Sequence, residues 1–392
     1  MERCVWRWLP YVVVAVALRA AWAAGESALF GSLCKMIAID PEFSEIVGEE
    51  CMRHVGFEED MRSEGLVFDP YFDRLLLTDG NCPTQRQLDS IISFPTPWSD
   101  ETFSVFRSPS SHANGQLIVG SYLLTAETTG RRIAYAPLHD PTNVQTLVDS
   151  YRGFPLNSPN DLVAHPDGSI WFTDPEYGCA QFPQANCPAL PNFVYRFDPR
   201  TGEMHVVADD FDRPNGLAFS PDYTKMYIVD SGAIHCSPVT IDPKRPHHIR
   251  VFDVVNNRTL IGGDVLVVVE SPDNKWGIPD GIKVDTMGRL YVGAGDGVQV
   301  FAPDGRLLGK FYTGTQVSNL SFGGWNNNYL FIGNMDHVWM IPLNDTRGAY
   351  YPSMDQPFHP TPTPTPAPAA SHPTATSASP STRRRDQPTL YI

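Results

Sequence analysis

The chain has 392 residues, 42% of them hydrophobic, and a formal net charge of −15. This acidic balance disfavours nonspecific nucleic-acid binding, and the short basic run at residues 383–385 is isolated near the C-terminus. The composition therefore predicts no nucleic-acid partner, and one domain of roughly 300 residues is the economical count.

The N-terminal residues 1–23 have the organisation of a secretory signal peptide. Arg3 and Arg7 precede an apolar run at residues 9–18, and Ala21-Trp22-Ala23 forms a small-x-small cleavage site. The apolar run is too short to span a bilayer comfortably, although a retained signal anchor is the alternative. We therefore expect a secreted or extracytoplasmic protein with no stable membrane insertion after the signal is removed.

The cysteine count agrees with export. Once Cys4 leaves with the signal peptide, an even number remains, as in disulfide-bonded secreted proteins. A bridge between Cys179 and Cys187, which bracket a short insertion, is the easiest pairing to propose. The other pairings stay open, and buried free thiols are the alternative. The remaining cysteines are Cys34, Cys51, Cys82, Cys179, Cys187 and Cys236.

A six-fold repeat begins at Glu64, and each unit places a polar residue just ahead of a short alternating strand. The units follow one another at about 40 to 65 residues, the period of four-stranded propeller blades. We predict an all-β, six-bladed β-propeller over residues 26–350, in which residues 26–62 supply an outer strand closing the ring or pack beneath the blades. The units are Glu64-Gly65-Leu66, Asn114-Gly115-Gln116, Asn160-Asp161-Leu162, Asn215-Gly216-Leu217, Asp280-Gly281-Ile282 and Asn319-Leu320-Ser321.

The repeated polar positions predict a site on the propeller axis. The innermost strand of every blade lines the central channel, so residues at the start of these strands converge on one point. Carboxylate and amide oxygens gathered there suit a hard divalent cation, most readily Ca²⁺, and no histidine or thiolate cluster with zinc spacing accompanies them. The residues concerned are Glu64, Asn114, Asn160, Asn215 and Asp280.

An ordinary turn is the alternative for any one of these motifs, because Asn-Gly and Asp-Gly pairs are common turn signals. The recurrence at one register position, together with Glu64, favours the site.

The C-terminal residues 356–392 are dominated by Pro, Thr, Ala and Ser without an apolar period. Such a composition cannot bury a core, so we predict a disordered, extended tail.

Several separated motifs, in a fixed order, resemble the SMP-30/gluconolactonase/regucalcin family. These are Ser158-Pro159-Asn160-Asp161, the run from Asp167 to Pro175, Arg213-Pro214-Asn215-Gly216-Leu217, and Pro279-Asp280-Gly281. The resemblance implies a six-bladed propeller with an axial divalent metal, usually calcium, that hydrolyses sugar lactones or related esters.

Carried over by position, the resemblance also implies roles for individual residues. Glu64, Asn215 and Asp280 match the family's metal ligands, and Asn160 joins the site as a metal or substrate ligand. Asp280 also matches the general base. The blade around Asn114 diverges from the family, and Asn114 is expected to bind substrate together with Asn160 because both lie at the repeated axial position. Ser158 stands where some animal members carry an arginine, so no arginine clamp on the substrate is expected.

Three functions fit these features. The first is a secreted, metal-dependent lactonase, and the second is a propeller esterase or phosphotriesterase of the paraoxonase kind. The third is a non-catalytic propeller in which calcium is structural and one face binds a partner. No Gly-x-Ser-x-Gly elbow or Walker-type loop occurs, which argues against a serine hydrolase and against nucleotide chemistry.

Overall fold

The computed structural model describes most of the chain between residues 35 and 350, with gaps. The described residues are 12–15, 32–33, 35–47, 50–57, 62–79, 89–95, 103–182, 188–236, 239–271, 278–335, 337–350, 352, 358 and 360.

The N-terminal elements precede the first blade and attach to the last two. They are β1 (Val12–Ala15), β2 (Ser32–Leu33), β3 (Lys35–Ala38), α1 (Pro41–Ile46) and β4 (Met52–Phe57).

Blades 1 to 3 follow in chain order, each a four-stranded antiparallel sheet that runs from the axis outward. Blade 1 contains β5 (Ser63–Asp69), β6 (Arg74–Asp79), β7 (Ile91–Pro95) and β8 (Ser104–Arg107). Blade 2 contains β9 (Ala113–Val119), β10 (Tyr122–Glu127), β11 (Arg132–Pro137) and β12 (Gln145–Val148), and is followed by the hairpin β13 (Ser150–Tyr151) and β14 (Phe154–Pro155). Blade 3 contains β15 (Leu162–Ala164), β16 (Ile170–Asp174), α2 (Tyr177–Gln181) in the loop beyond β16, β17 (Phe193–Asp198) and β18 (Glu203–Ala208).

Blades 4 to 6 complete the ring. Blade 4 contains β19 (Pro214–Phe219), β20 (Lys225–Asp230), the hairpin β21 (Ile234–Cys236) and β22 (Val239–Ile241), β23 (His248–Val255) and β24 (Thr259–Val268). Blade 5 contains β25 (Ile282–Val284), β26 (Leu290–Ala294), β27 (Gly297–Phe301) and β28 (Leu307–Tyr312). Blade 6 contains β29 (Asn319–Gly323), β30 (Tyr329–Asn334) and β31 (His337–Pro342). The predicted six-bladed propeller is thus confirmed.

The segment before the first blade closes the ring. Strand β4 pairs with β31 and becomes the fourth strand of blade 6, while β3 extends the outer edge of blade 5. Strand β1, which lies within the predicted signal peptide at residues 1–23, pairs with β3. Removal of the signal peptide stays a prediction. Closing the last sheet with an early strand removes an exposed sheet edge and ties the two ends of the domain together. The expectation that this segment supplies an outer strand is confirmed.

The apolar core lies between the blades. Among the described residues, six buried clusters form, each between two neighbouring blades. Both faces of the inner strands are therefore covered, which explains why β16 (Ile170–Asp174) and β26 (Leu290–Ala294) are buried at every position. Stacking of one sheet on the next fixes the ring and holds the innermost strands rigidly about the axis.

The axis contains a cavity of about 100 Å³. Lys283 and Gln116 lie among its lining residues, together with inner-strand side chains such as Phe68 and Leu162 and the later residue Tyr350. The Tyr350 hydroxyl donates to the carbonyl oxygen of Ile118 at 2.6 Å, which anchors this segment across the inner strands.

Only isolated residues of the predicted tail are described. Phe358 is buried and packs 5.4 Å, between ring centroids, from both Tyr122 and Tyr135 on the side of blade 2. Apart from residues 358 and 360, the tail at 356–392 lies outside the described residues.

Candidate metal and substrate site

The structure places all five predicted site residues at, or two residues before, the start of an innermost strand. In blades 1, 2 and 4 the pairing with the second strand shifts register at the polar position, as in a β-bulge. A bulge bends the strand and redirects the side chain of the extra residue. It accounts for how Asn114 and Asn215 leave the ladder. Glu64 stays paired with Thr78, and the shift follows it, whereas Asn160 and Asp280 come just before β15 and β25.

The glycine that follows several of these residues permits close approach of the next blade. At Gly65 φ is +54°, and an added Cβ would lie 2.0 Å from the carbonyl oxygen of Asn114. A Cβ at Gly216 would lie 2.5 Å from the carbonyl oxygen of Asp280. The Asn-Gly and Asp-Gly pairs here are therefore contact points between blades rather than hairpin turns.

Six contacts connect these positions into a closed ring. Each joins one blade to the next, and the sixth joins blade 6 back to blade 1. The contacts, in order, are Thr78 Oγ1 to Asn114 O at 2.9 Å, Gly115 N to Asn160 O at 2.7 Å, Thr173 Oγ1 to Asn215 O at 2.9 Å, Ser231 Oγ to Pro279 O at 2.6 Å, Gly281 N to Ser318 O at 2.8 Å, and Asn319 Nδ2 to Glu64 Oε2 at 3.5 Å. The predicted residues are thus gathered around one axis, although the roles assigned to them stay predictions.

Glu64 is buried and weakly compensated by protein donors. Its carboxylate accepts from the Gly65 amide at 3.2 Å and from the Asn319 amide at 3.5 Å, both long for a charged acceptor. Burial raises the pKa of Glu64 to about 7, against the opposing charge of Arg62. A cation beside this carboxylate would offset the cost of burying it.

Asn215 is held so that its oxygen is available. Its amide nitrogen donates to Ser231 Oγ at 3.1 Å, and that hydroxyl donates in turn to the carbonyl oxygen of Pro279. The nitrogen is engaged, so the amide oxygen is the atom left for a cation.

Asp280 is partly exposed, and its backbone amide donates to the carbonyl oxygen of Gly293 at 3.0 Å.

A second set of carboxylates holds the loops that lead into the site. In four blades the backbone amide two residues before the polar position donates to an aspartate, a device not anticipated from the sequence. The donors and acceptors are Arg62 N to Asp79 at 3.0 Å, His112 N to Asp89 at 2.7 Å, Ser158 N to Asp174 at 2.8 Å and Arg213 N to Asp230 at 2.9 Å. Three of these aspartates end the second strand of their own blade, and this recurrence was a signal available in the sequence.

Asp174 gives a prediction for the dependence of stability on pH. The residue is fully buried, and burial raises its pKa to about 7, although the amides of Asn157 and Ser158 donate to it. A carboxylate whose pKa is raised on folding binds its proton more tightly in the folded protein. Its contribution to stability is therefore complete below about pH 4 and is lost as the pH rises through 7.

We expect Asp174→Asn to remove this part of the pH dependence, worth up to about 4 kcal/mol. Loss of one acceptor for the two amides lowers stability equally at every pH. The measurement is the free energy of urea unfolding from pH 4.5 to 8 in EDTA, comparing the slope for the variant with that for the wild type. Identical slopes would contradict the prediction.

A charged cluster lies next to the ring and was also not anticipated. Lys283 Nζ lies 3.8 Å from Asp161 Oδ2 and 3.5 Å from Asn319 Oδ1. Asp161 and Asn319 are buried, and burial raises the pKa of Asp161 against the charge of Lys283. Asn319 occupies the same repeat position as the predicted site residues, which was the signal that could have identified it.

Ser158 has a structural role. It is buried, its hydroxyl donates to the carbonyl oxygen of Pro175 at 2.5 Å, and it accepts from the Gly178 amide at 2.8 Å. These bonds attach the beginning of α2 to the loop that carries Asn160.

Cys187 lies outside the described residues, so its pairing with Cys179 stays a prediction.

The donor set fits a hard cation. Within the part of the chain that the structure describes, no three His, Cys, Asp or Glu side chains come together as a metal site. The ring instead combines carboxylates with amide oxygens, which suits Ca²⁺ better than zinc.

Among the residues that the structure describes, no helix has the length and apolar character needed to cross a bilayer.

A six-bladed propeller with a ring of carboxylates and amides at its axis defines the class of protein, and comparison with known proteins gives the family. Residues 64–335 match the SMP-30/Gluconolactonase/LRE-like region. The chain belongs to this family, so the resemblance found in the sequence is confirmed.

Similar proteins include hydrolases of lactones. A gluconolactonase of Zymomonas mobilis is 32% identical over 247 residues, which cover 57% of this chain and 65% of that protein. A lactonohydrolase of Aspergillus oryzae is 34% identical over 206 residues, which cover 50% of this chain and 45% of that protein. The chain thus spans less than two thirds of the length of these relatives.

Among solved structures, a gluconolactonase from Xanthomonas campestris has a TM-score of 0.66 to this chain and is 30% identical to it. That match covers 80% of this chain and 96% of the other.

Proposed function

We propose that this protein is a secreted, divalent-metal-dependent hydrolase that opens sugar lactones. The observation that carries the proposal is the closed ring of contacts, which gathers Glu64, Asn160, Asn215 and Asp280 on the axis of a propeller whose relatives include gluconolactonases. The sequence supports secretion through the signal pattern at residues 1–23 and the even cysteine count that remains after it.

The proposed metal ligands are Glu64, Asn160, Asn215 and Asp280, and Ca²⁺ is the cation that such oxygen donors suit best. When bound, a divalent cation supplies Lewis-acid polarisation of the lactone carbonyl and makes water more acidic. The chain contributes a rigid frame, because the inner strands that carry these residues are buried between blades and tied to one another.

Asp280 is the proposed general base. Water adds to the lactone carbonyl carbon, and Asp280 takes a proton from that water as the new C–O bond forms. The bond from the carbonyl carbon to the ring oxygen then breaks, and Asp280 returns the proton to that oxygen, which leaves as a hydroxyl. The product is the open hydroxy acid. Partial exposure of Asp280 leaves its side chain accessible to solvent, as this role requires.

Asn114 and Asn160 are the proposed substrate-binding residues. Their backbone carbonyls are used in the contacts between blades, and each residue stands at the repeated polar position of its blade. Amide groups both donate and accept hydrogen bonds, so they can bind the hydroxyls of a sugar ring.

The test is proton release from glucono-1,5-lactone, smaller lactones, an aryl ester and a phosphotriester by metal-free protein, with Ca²⁺, Mg²⁺, Mn²⁺ or Zn²⁺ restored one at a time. Calorimetry on the same preparation measures cation binding. We expect lactone turnover that EDTA abolishes and one of these cations restores. Turnover restricted to aryl esters or phosphotriesters would indicate the paraoxonase-like alternative. Tight cation binding with no turnover of any substrate would indicate a binding protein.

A further inference from the structure

We propose that Lys283 is a positioning residue for the metal site, holding the side-chain amide of Asn319 so that it donates to Glu64. This inference rests on the proposed metal site and gives roles to Lys283 and Asn319, to which the sequence alone assigned none.

The geometry forms a chain of three side chains. Lys283 Nζ lies 3.5 Å from Asn319 Oδ1, and Asn319 Nδ2 lies 3.5 Å from Glu64 Oε2. Lys283 belongs to blade 5, Asn319 to blade 6 and Glu64 to blade 1, so the chain crosses two boundaries between blades. Its last step is also the contact that closes the ring.

The orientation of the Asn319 amide follows from its partners. Its Oδ1 accepts from the Leu320 amide at 2.8 Å and faces the ammonium group of Lys283. Both neighbours of that oxygen are donors, so the nitrogen must point the other way, toward the Glu64 carboxylate. Without the ammonium group one of the two interactions that fix this orientation is lost, and the amide can rotate to place its oxygen against the carboxylate.

Lys283 is retained in this position by Asp161. The Asp161 Oδ2 atom is buried and, within the described part of the chain, has no hydrogen-bond partner, while the ammonium group lies 3.8 Å away. The other oxygen, Oδ1, accepts from the Leu162 amide at 2.9 Å. Asp161 thus provides a fixed countercharge, and the lysine acts as a positive group built into the wall of the axial cavity.

Simple charge repulsion predicts the opposite effect from positioning. An ammonium group beside a divalent cation repels it, so removal of the charge alone would strengthen metal binding. If Lys283 instead acts through Asn319 on Glu64, its removal weakens metal binding. The sign of the change in metal affinity therefore separates the two roles.

The experiment is calorimetric titration of Ca²⁺ into metal-free wild type, Lys283→Met, Lys283→Arg, Asn319→Leu and the Lys283→Met/Asn319→Leu double variant. We expect Lys283→Met to weaken affinity about tenfold, the scale of lost support to a metal ligand, and Lys283→Arg to remain within about threefold of the wild type. The double variant should bind no more weakly than Asn319→Leu alone, because the lysine acts through the asparagine.

Lys310→Met is the matched control. Lys310 and Asp296 form another lysine–aspartate pair in the same blade, in which the lysine is more deeply buried than Lys283, with 2.9 Å between Nζ and Oδ2, and neither residue belongs to the ring. This variant should lose at least as much stability and keep wild-type metal affinity. If Lys283→Met does not fold, Lys283→Gln removes the charge while keeping a polar group beside Asp161.

Unchanged or stronger Ca²⁺ binding by Lys283→Met, or additive losses in the double variant, would overturn the positioning role alone. A wild-type protein that binds none of Ca²⁺, Mg²⁺, Mn²⁺ and Zn²⁺ would overturn the metal site itself and this inference with it.

Discussion

Replacement of Asp280 by asparagine is expected to lower kcat for lactone hydrolysis by about 10²- to 10⁴-fold, the usual contribution of a positioned general base. Asparagine keeps the size of the side chain and an oxygen that can approach a cation. It cannot take the proton from the attacking water or return it to the departing ring oxygen. The loss should therefore appear mainly in kcat, and KM should change much less.

The measurement is proton release at saturating lactone and saturating metal, so that weaker metal binding by the variant does not limit the rate. Calorimetry on the same preparation establishes that the cation is bound. Asp253→Asn is the control, since Asp253 is exposed and pairs only at the surface with Lys225. A variant at Asp280 that retained more than about a tenth of wild-type kcat would exclude this residue as the base.

The six-bladed architecture could be predicted because a local sequence pattern repeats along the chain. A polar residue, a short strand, a turn and a second strand recur at the spacing of a blade, and each step depends on neighbouring residues. The glycine turns at Gly168 and Gly288, which both have positive φ, are of this kind. Strand β4 as the closing strand was only one of two expectations, because pairing with β31 is set by the closed ring rather than by local sequence.

The residues of the site could be predicted from the sequence more readily than the contacts that bring them together. The positions of Asn160, Asn215 and Asp280 follow from the repeat register, but their mutual arrangement depends on contacts between residues far apart in sequence. The link from Lys283 through Asn319 to Glu64 joins three blades, and no periodicity within one blade indicates it.

The aspartates that bind the loop amides were visible as strand-ending residues, of which Asp174 and Asp230 are two. Their role depends on which amide each one faces in the fold.

The buried carboxylate of Glu64 lowers the stability of the metal-free protein and favours binding of a cation. Its loss should therefore change stability and cation affinity in opposite directions. Burial raises its pKa to about 7, so the folded protein holds the Glu64 proton more tightly than the unfolded chain. Without metal, stability should fall as the pH rises from about 4.5 to 7, by roughly 3 kcal/mol from this group. Glutamine has nearly the same shape and cannot ionise, so it removes this loss.

We therefore expect Glu64→Gln to make the metal-free protein more stable than the wild type at pH 8 while weakening Ca²⁺ binding by roughly 100-fold or more. Loss of a group that supports a metal ligand costs about 10- to 100-fold in metal affinity. Loss of the charged ligand itself should cost at least the upper end of that range. Urea unfolding in EDTA measures the first change, and calorimetric titration measures the second.

A structural role for Glu64 predicts a different pattern, in which its loss destabilises the metal-free protein and leaves cation affinity unaffected. Weaker binding together with greater stability cannot arise from a damaged fold, because a damaged fold is less stable. The pair of measurements thus tests whether a buried charge is kept at the axis for its cation and at the expense of the protein's own stability.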